Sequence, residues 1–207
     1  MMVPRALRRW AAPAAVLGGL LWVPHGVFEM LPPWGAATVY EEETGYARIT
    51  DTARFVAYSL PGSLALLLTG LGLLGITARL GLPVGRAGPI LTYVAVVLAV
   101  LSVVAVIVLF TPLAIAGLIL GSFFLGAAAF TVAIGARRAG VTSRWTVALL
   151  ILGIMGLFMI PLRSLVNALA FLPPIAAAAF IGLFGLGWVG LGYALWLPGG
   201  ASAAKPA

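Results

Sequence analysis

The chain has 207 residues, of which 63% are hydrophobic and 8% charged, with a mean hydropathy of +1.17 and a formal net charge of +7. Soluble domains average about 25% charged residues, so this composition excludes an ordinary soluble domain and indicates helices that cross a lipid bilayer. The chain has no cysteine, which excludes disulfides, thiolate metal sites and cysteine nucleophiles.

The first apolar segment, residues 11–31, follows three arginines, as a signal peptide would. Its apolar core continues through Trp22, Pro24 and His25 without a small-residue cleavage site, so we interpret it as an uncleaved first helix. Residues 32–54 are polar and form a predicted outer loop. One interpretation places a short interfacial helix in that loop, at about residues 46–54.

The remaining apolar segments predict five further spans. The second covers about residues 55–78. The fifty uncharged residues between Arg86 and Arg137 would make one helix about 75 Å long, against a hydrocarbon core of about 30 Å. The segment must therefore fold back, and Thr111-Pro112 is the predicted break, which gives spans 88–110 and 112–136. The fifth and sixth spans are predicted at 145–163 and 173–197, before a short cytoplasmic tail at 198–207.

Arginine distribution predicts the orientation of these spans. If the amino terminus is inside, nine basic residues fall in inner segments and three in outer ones. This bias places both termini in the cytoplasm. It also explains the positive charge without nucleic acid, which is not expected as a partner. The predicted fold class is an all-α integral membrane protein, a single domain of residues 1–207 with six transmembrane helices, located in the cell membrane.

A repeated pattern suggests three parallel helical hairpins. The even-numbered spans share a proline, a glycine nine residues later and a Leu-Gly pair, and two of the odd-numbered spans share an Arg-Trp pair and a Leu-Gly pair. The even-span positions are Pro61, Gly70, Leu74-Gly75; Pro112, Gly121, Leu125-Gly126; and Pro173, Gly182, Leu186-Gly187. The odd-span positions are Arg9-Trp10 with Leu17-Gly18 and Arg144-Trp145 with Leu152-Gly153. The alternative is chance recurrence in a chain with 26 glycines and 14 prolines.

The candidate functional residues are His25, Glu29 and Arg163. His25 and Glu29 are four residues apart and therefore share one helix face, where they could contact each other or a ligand. An ionisable group at membrane depth is a functional candidate by default. In the alternative interpretation, Glu29 ends the span at the interface and His25 bonds a neighbouring group. Arg163 is expected at the same outer level as Glu29, and an ion pair between them would require the first and fifth spans to pack together.

Other polar and aromatic residues have structural interpretations. The embedded serines and threonines are expected to form hydrogen bonds between helices. The aromatic residues near predicted boundaries, including Trp145, are expected to anchor the helices at the membrane interface. Trp188, Tyr193 and Trp196 on the sixth span are interpreted in the same way, with an aromatic ligand wall as the alternative. The single histidine provides too few ligands for a haem or zinc site. The sequence also has no phosphate-loop or dinucleotide-binding motif. No catalytic residue, metal or cofactor is therefore expected.

Three functions remain open at this point. The first is a non-enzymatic component that binds or transports a small molecule or ion at a site near the outer end of the first helix. Six spans in about 200 residues are similar in outline to the S-components of energy-coupling-factor vitamin importers, and Ala11 and Ala15 have the Ala-x-x-x-Ala spacing of the first helix of those proteins. This spacing is not specific in an alanine-rich chain and assigns no family. The alternatives are an accessory or scaffold subunit of a larger membrane complex and a membrane enzyme acting on a lipid.

Overall fold

The computed structural model describes residues 5–30, 38–41, 46–80, 86–141, 144–168 and 174–196. These residues contain a short hairpin and six long helices, which confirms the predicted helical architecture. The helices are α1 (Arg5–Met30), α2 (Thr52–Leu80), α3 (Ala87–Ile107), α4 (Thr111–Arg138), α5 (Arg144–Ala168) and α6 (Pro174–Trp196). The antiparallel hairpin between α1 and α2 consists of β1 (Thr38–Glu41) and β2 (Tyr46–Ile49).

Five of these helices are long and apolar enough to cross a membrane. They are α1, α2, α3, α4 and the described part of α6, Ala178–Trp196. The corresponding part of α5, Arg144–Met159, is apolar but shorter. The structure therefore fits a multi-pass membrane protein.

Helices that follow one another in the sequence run antiparallel to each other. Helix α1 packs extensively on α2 and on α6, and α4 packs extensively on α3 and on α5, whereas the described parts of α5 and α6 contact each other sparsely. Gly72 in the last third of α2 lies against Ala15 near the start of α1. Gly192 near the end of α6 lies against Val16 of α1. The start of α1 and the end of α6 are therefore at the same end of the bundle.

The two ends of the bundle differ in charge. The end that contains the start of α1 also contains the exposed side chains of Arg9, Arg86, Arg137, Arg138 and Arg144, and we call it the arginine end. The opposite end carries the β-hairpin and is called the hairpin end. Arg48 and Arg54 are the described arginine side chains there, and both are exposed. The grouping of basic residues expected from the sequence thus corresponds to the two ends of one bundle.

Glycines set the close approach of α4 and α5. A methyl group on Gly126 would lie 2.5 Å from the carbonyl carbon of Gly156, and one on Gly156 would lie 2.6 Å from Cα of Gly126. A methyl group on Gly153 would likewise lie 2.5 Å from the backbone nitrogen of Phe130. Without a hydrophobic driving force inside lipid, close backbone packing of this kind is a main source of helix association.

The turn between α3 and α4 lies slightly before the predicted break at Thr111-Pro112. Helix α3 ends at Ile107, Leu109 has a φ of 62°, and α4 begins at Thr111. Pro112 lies in the first turn of α4, where its missing N–H would have had no partner. The chain direction therefore reverses at a left-handed residue, and the proline starts the next helix instead of ending the previous one.

The predicted interfacial helix at residues 46–54 is wrong. Tyr46–Ile49 is a strand paired with Thr38–Glu41, and α2 begins at Thr52. The side chain of Asp51 accepts a hydrogen bond of 3.0 Å from the backbone N–H of Arg54, as an N-cap residue does. Ile49 packs against a small core cluster with Phe55 and Ala105, which holds the hairpin against the bundle.

The residue equivalences of the predicted three-hairpin repeat are not reproduced. Leu125 is fully buried, whereas its counterpart Leu186 is 55% exposed. Trp10 is 65% exposed, whereas its counterpart Trp145 is buried. The prolines also differ, since Pro61 lies well inside α2 while Pro112 lies in the first turn of α4; Pro173 lies outside the described residues. The matched positions therefore differ in packing.

Candidate ligand site between α1, α2 and α6

His25 lies in the interior of the bundle at the α1–α2 contact. Its side chain is 4% exposed and sits about 22 Å along α1 from Trp10, measured by helical rise. The imidazole packs directly on Gly62 of α2, where a methyl group would come within 2.7 to 2.9 Å of three ring atoms. Gly62 therefore makes room for an ionisable side chain that the bundle encloses.

Proline interrupts both helices at this level. Pro24 precedes His25 in α1, and Pro61 precedes Gly62 in α2. Because proline has no N–H, each removes one hydrogen bond from the helical ladder. Since His25 packs on Gly62, the two prolines lie at the same level of the bundle. Interrupted helices that meet at depth are typical of substrate sites in membrane transporters.

An aromatic row extends from His25 into α6. It consists of His25, Trp22, Phe184 and Trp188. The ring centroids are 5.7 Å apart for Trp22 and His25 and 5.5 Å apart for Trp22 and Phe184, and they are 6.1 Å apart for Phe184 and Trp188. All three pairs are edge-on, which is the arrangement that the ring quadrupoles favour. The row joins α1 to α6 in the part of the bundle that contains His25.

The indole nitrogens of Trp22 and Trp188 lack a hydrogen-bond partner among the described residues. Trp22 is 1% exposed and Trp188 is fully buried. Within the described part of the chain, neither indole nitrogen has a hydrogen-bond acceptor. A buried donor left unsatisfied costs about 1–3 kcal/mol, and such groups are few in folded proteins. A ligand that accepts hydrogen bonds from these two indole N–H groups would therefore be stabilised in this region.

The structure leaves the predicted Glu29–Arg163 pair untested. Glu29 lies in the last turn of α1 and Arg163 near the hairpin end of α5, so both backbones are at that end of the bundle. Their side chains lie outside the described residues. Among the described residues, α1 packs extensively on α2 and α6 and not on α5. The packing of the first and fifth spans that the pair requires is therefore not observed there.

Sequence reasoning missed most of the aromatic row. Trp188 was expected to be an interface anchor, and this is wrong because it is fully buried. The alternative interpretation, an aromatic ligand wall on this helix, stays a prediction. Trp145 is also buried, whereas Tyr193 and Trp196 are more than 60% exposed near the arginine end. Phe184 and Trp188 are four residues apart, a spacing that places them on one helix face. That spacing could have indicated a shared face, but not that α1 covers it.

The embedded hydroxyl groups mostly bond within their own helices. The exception is a series of contacts between helices, which we call the hydroxyl chain. In it the hydroxyl groups of Ser63 in α2 and Ser102 in α3 lie 2.8 Å apart, and Ser102 donates to the carbonyl of Ala114 in α4 at 2.8 Å. The others donate to carbonyls three or four residues earlier, namely Thr69, Thr77, Thr92, Ser122 and Thr131. The expectation of hydrogen bonds between helices is therefore correct for Ser63 and Ser102 and wrong for these five.

Metal-ligating side chains do not cluster in the part of the chain that is described. No group of three or more histidine, cysteine, aspartate or glutamate residues there could hold a metal ion. Comparison of the chain with protein-family models, with curated proteins and with solved structures finds no match. The class of protein thus rests on its fold and apolar helices, and any function must be argued from the site itself.

Proposed function

We propose that this chain is a six-span protein of the cell membrane with both termini in the cytoplasm. The alternating direction of the helices and the arginine end support this orientation, because basic segments remain on the cytoplasmic side. Helix α5 has 25 residues, which corresponds to about 37 Å, enough for a hydrocarbon core of about 30 Å. It is therefore the sixth span in this proposal.

In this proposal the protein is non-enzymatic and binds or transports a small molecule or ion. The site includes the aromatic row and lies at the level of Pro24 and Pro61, in the half of α1 nearer the hairpin end. The observation that carries the proposal is the enclosure of His25 and two unpartnered indoles in one region of an apolar bundle. An ionisable side chain inside a membrane is energetically expensive and is a candidate functional residue by default.

An accessory subunit is the second candidate function. Ala11 and Ala15 do not supply a face for a partner protein, because both are fully buried and Ala15 lies against Gly72 of α2. The observation in favour of this candidate is on α6, where methyl groups on Gly182 and Gly190 would meet nothing within 4 Å. Small open positions of this kind allow close approach of another helix.

Purification from native membranes separates the two candidates. We expect a small molecule to copurify with the wild-type protein in near-stoichiometric amount, as measured by mass spectrometry of the extracted sample. The variant His25→Phe keeps an aromatic ring of similar size and should lose this molecule, whereas the control Trp10→Phe, at a position 65% exposed, should keep it. A stoichiometric protein partner without any small molecule would instead support the accessory subunit and contradict the proposed binding function.

A further inference from the structure

The unpartnered indoles restrict the chemistry of a ligand. An indole nitrogen donates one hydrogen bond and accepts none. A ligand that satisfies Trp22 and Trp188 must therefore present acceptor atoms. A bare metal cation cannot do so, because it offers no lone pair to either N–H. This step rests on the binding function proposed above and concerns the same site.

The surroundings of the indoles favour a neutral ligand over an anion. Both nitrogen atoms are shielded from water in the bundle interior. The arginine side chains that the structure describes are all exposed, some at the arginine end and some at the hairpin end, so none of them lies beside the indoles. Moving an anion into an apolar interior without a paired cation carries a large desolvation penalty. A neutral acceptor such as a carbonyl oxygen avoids that penalty and still accepts the indole hydrogen bond.

The ring that lies between the two indoles favours a ligand with a planar ring. Phe184 contacts both indoles edge-on, and such aromatic edges and faces pack well against a planar ring.

We infer that the aromatic row binds a neutral, planar carbonyl compound, with the indole N–H groups of Trp22 and Trp188 donating to its oxygen atoms. Quinone-type molecules have this chemistry. The inference adds a ligand class to the proposed binding function and involves no covalent or redox step.

Two probes that differ only in their carbonyl groups test this inference. Duroquinone carries two carbonyl oxygens on a tetramethylated six-membered ring, and durene is the matching hydrocarbon. The purified full-length protein in detergent micelles is titrated with each probe, and the indole N–H resonances of tryptophan labelled with nitrogen-15 are recorded. We expect duroquinone to shift the indole resonances of Trp22 and Trp188. Each resonance is assigned by its absence from the spectrum of the variant Trp22→Phe or Trp188→Phe. Durene should leave both unshifted.

Binding constants give the second readout. Two hydrogen bonds should make duroquinone bind at least about tenfold more tightly than durene. Trp22→Phe should reduce that preference, and the control Trp196→Phe, at a position 64% exposed, should not. Equal binding of the two probes, shifts confined to the exposed tryptophans, or no binding of duroquinone would overturn the inference. The comparison of probes in the wild-type protein remains decisive even if a phenylalanine variant fails to fold.

The two proposals fail in different ways. If a copurifying small molecule lacks an acceptor atom, the carbonyl inference is wrong and the binding function stands. If duroquinone binds with the expected shifts but no small molecule copurifies, the proposed ligand class is supported. The expectation that the protein carries a bound small molecule in its native membrane is then wrong. If neither observation is made, both proposals are wrong.

Discussion

The imidazole of His25, the one histidine of the chain, lies on the backbone of Gly62. It occupies the space that a side chain at position 62 would otherwise fill. This contact lies at the level of Pro24 and Pro61. On its other side, the imidazole contacts Trp22 edge-on, and Trp22 in turn contacts Phe184 of α6. The candidate site therefore depends on one glycine that carries no chemistry of its own.

Substitution Gly62→Ala should destabilise the protein and displace His25. Overpacking a closely packed contact costs about 1–3 kcal/mol, which exceeds the gain of up to about 1 kcal/mol from replacing glycine by alanine in a helix. The thermal unfolding midpoint in detergent should fall. The matched control is Gly182→Ala, where the space is open, and its midpoint should stay the same or rise. Equal midpoints for the two variants would contradict the described contact.

The hydroxyl chain should contribute measurable stability through Ser102. The Ser102 hydroxyl lies 2.8 Å from the Ser63 hydroxyl and 2.8 Å from the carbonyl oxygen of Ala114, while Ser63 also lies 3.1 Å from the carbonyl oxygen of Ser59 in its own helix. The substitution Ser102→Ala removes the hydrogen bonds that connect α3 to both α2 and α4. Hydrogen bonds between membrane helices contribute about 0.6 kcal/mol on average and about 1.7 at most, so Ser102→Ala should lower stability by about 1 kcal/mol.

The control for this change is Ser122→Ala, because Ser122 donates to the carbonyl of Leu118 in its own helix. Its loss should change stability by less than the loss of Ser102. Chemical denaturation in mixed micelles, followed by helical circular dichroism, measures both. A larger effect at Ser122 than at Ser102 would show that the chain of hydroxyls does not link the helices.

The sequence indicated the helices well and the contacts between them poorly. Apolar runs bounded by arginine and proline mark where helices begin and end, because length and hydropathy are local properties of the chain. The burial of Trp188 depends on the packing of α1 against α6, which no local pattern encodes. For the same reason His25 was predicted as a candidate, whereas its contacts with Gly62 and Trp22 were not.

The two tight turns offer a matched comparison of backbone strain. Leu109 and Gly140 both have positive φ, at 62° and 77°, and the backbone hydrogen bonds around them have the same pattern. In each turn the residue with positive φ follows the helix end and donates to a carbonyl three residues earlier. Only the glycine adopts this conformation without a steric penalty of about 1–2 kcal/mol.

Replacing Leu109 by glycine should therefore raise the unfolding midpoint, or leave it unchanged if lost contacts of the leucine side chain offset the relief. The reciprocal change Gly140→Ala should lower the midpoint, with no packing effect to confuse the result, because nothing lies within 4 Å of a methyl group there. The two midpoints are compared in the same detergent. A lower midpoint for Leu109→Gly together with an unchanged one for Gly140→Ala would mean that these turns are not strained as described.

Labelling of single cysteines tests the proposed threading most directly, since the chain contains no native cysteine. Val39→Cys lies in β1 at a position 49% exposed, and Ala139→Cys lies in the exposed turn between α4 and α5. A membrane-impermeant maleimide should label the first in intact cells and the second only after the membrane is permeabilised. Labelling of both positions in intact cells, or of Ala139→Cys alone, would contradict six crossings with cytoplasmic ends.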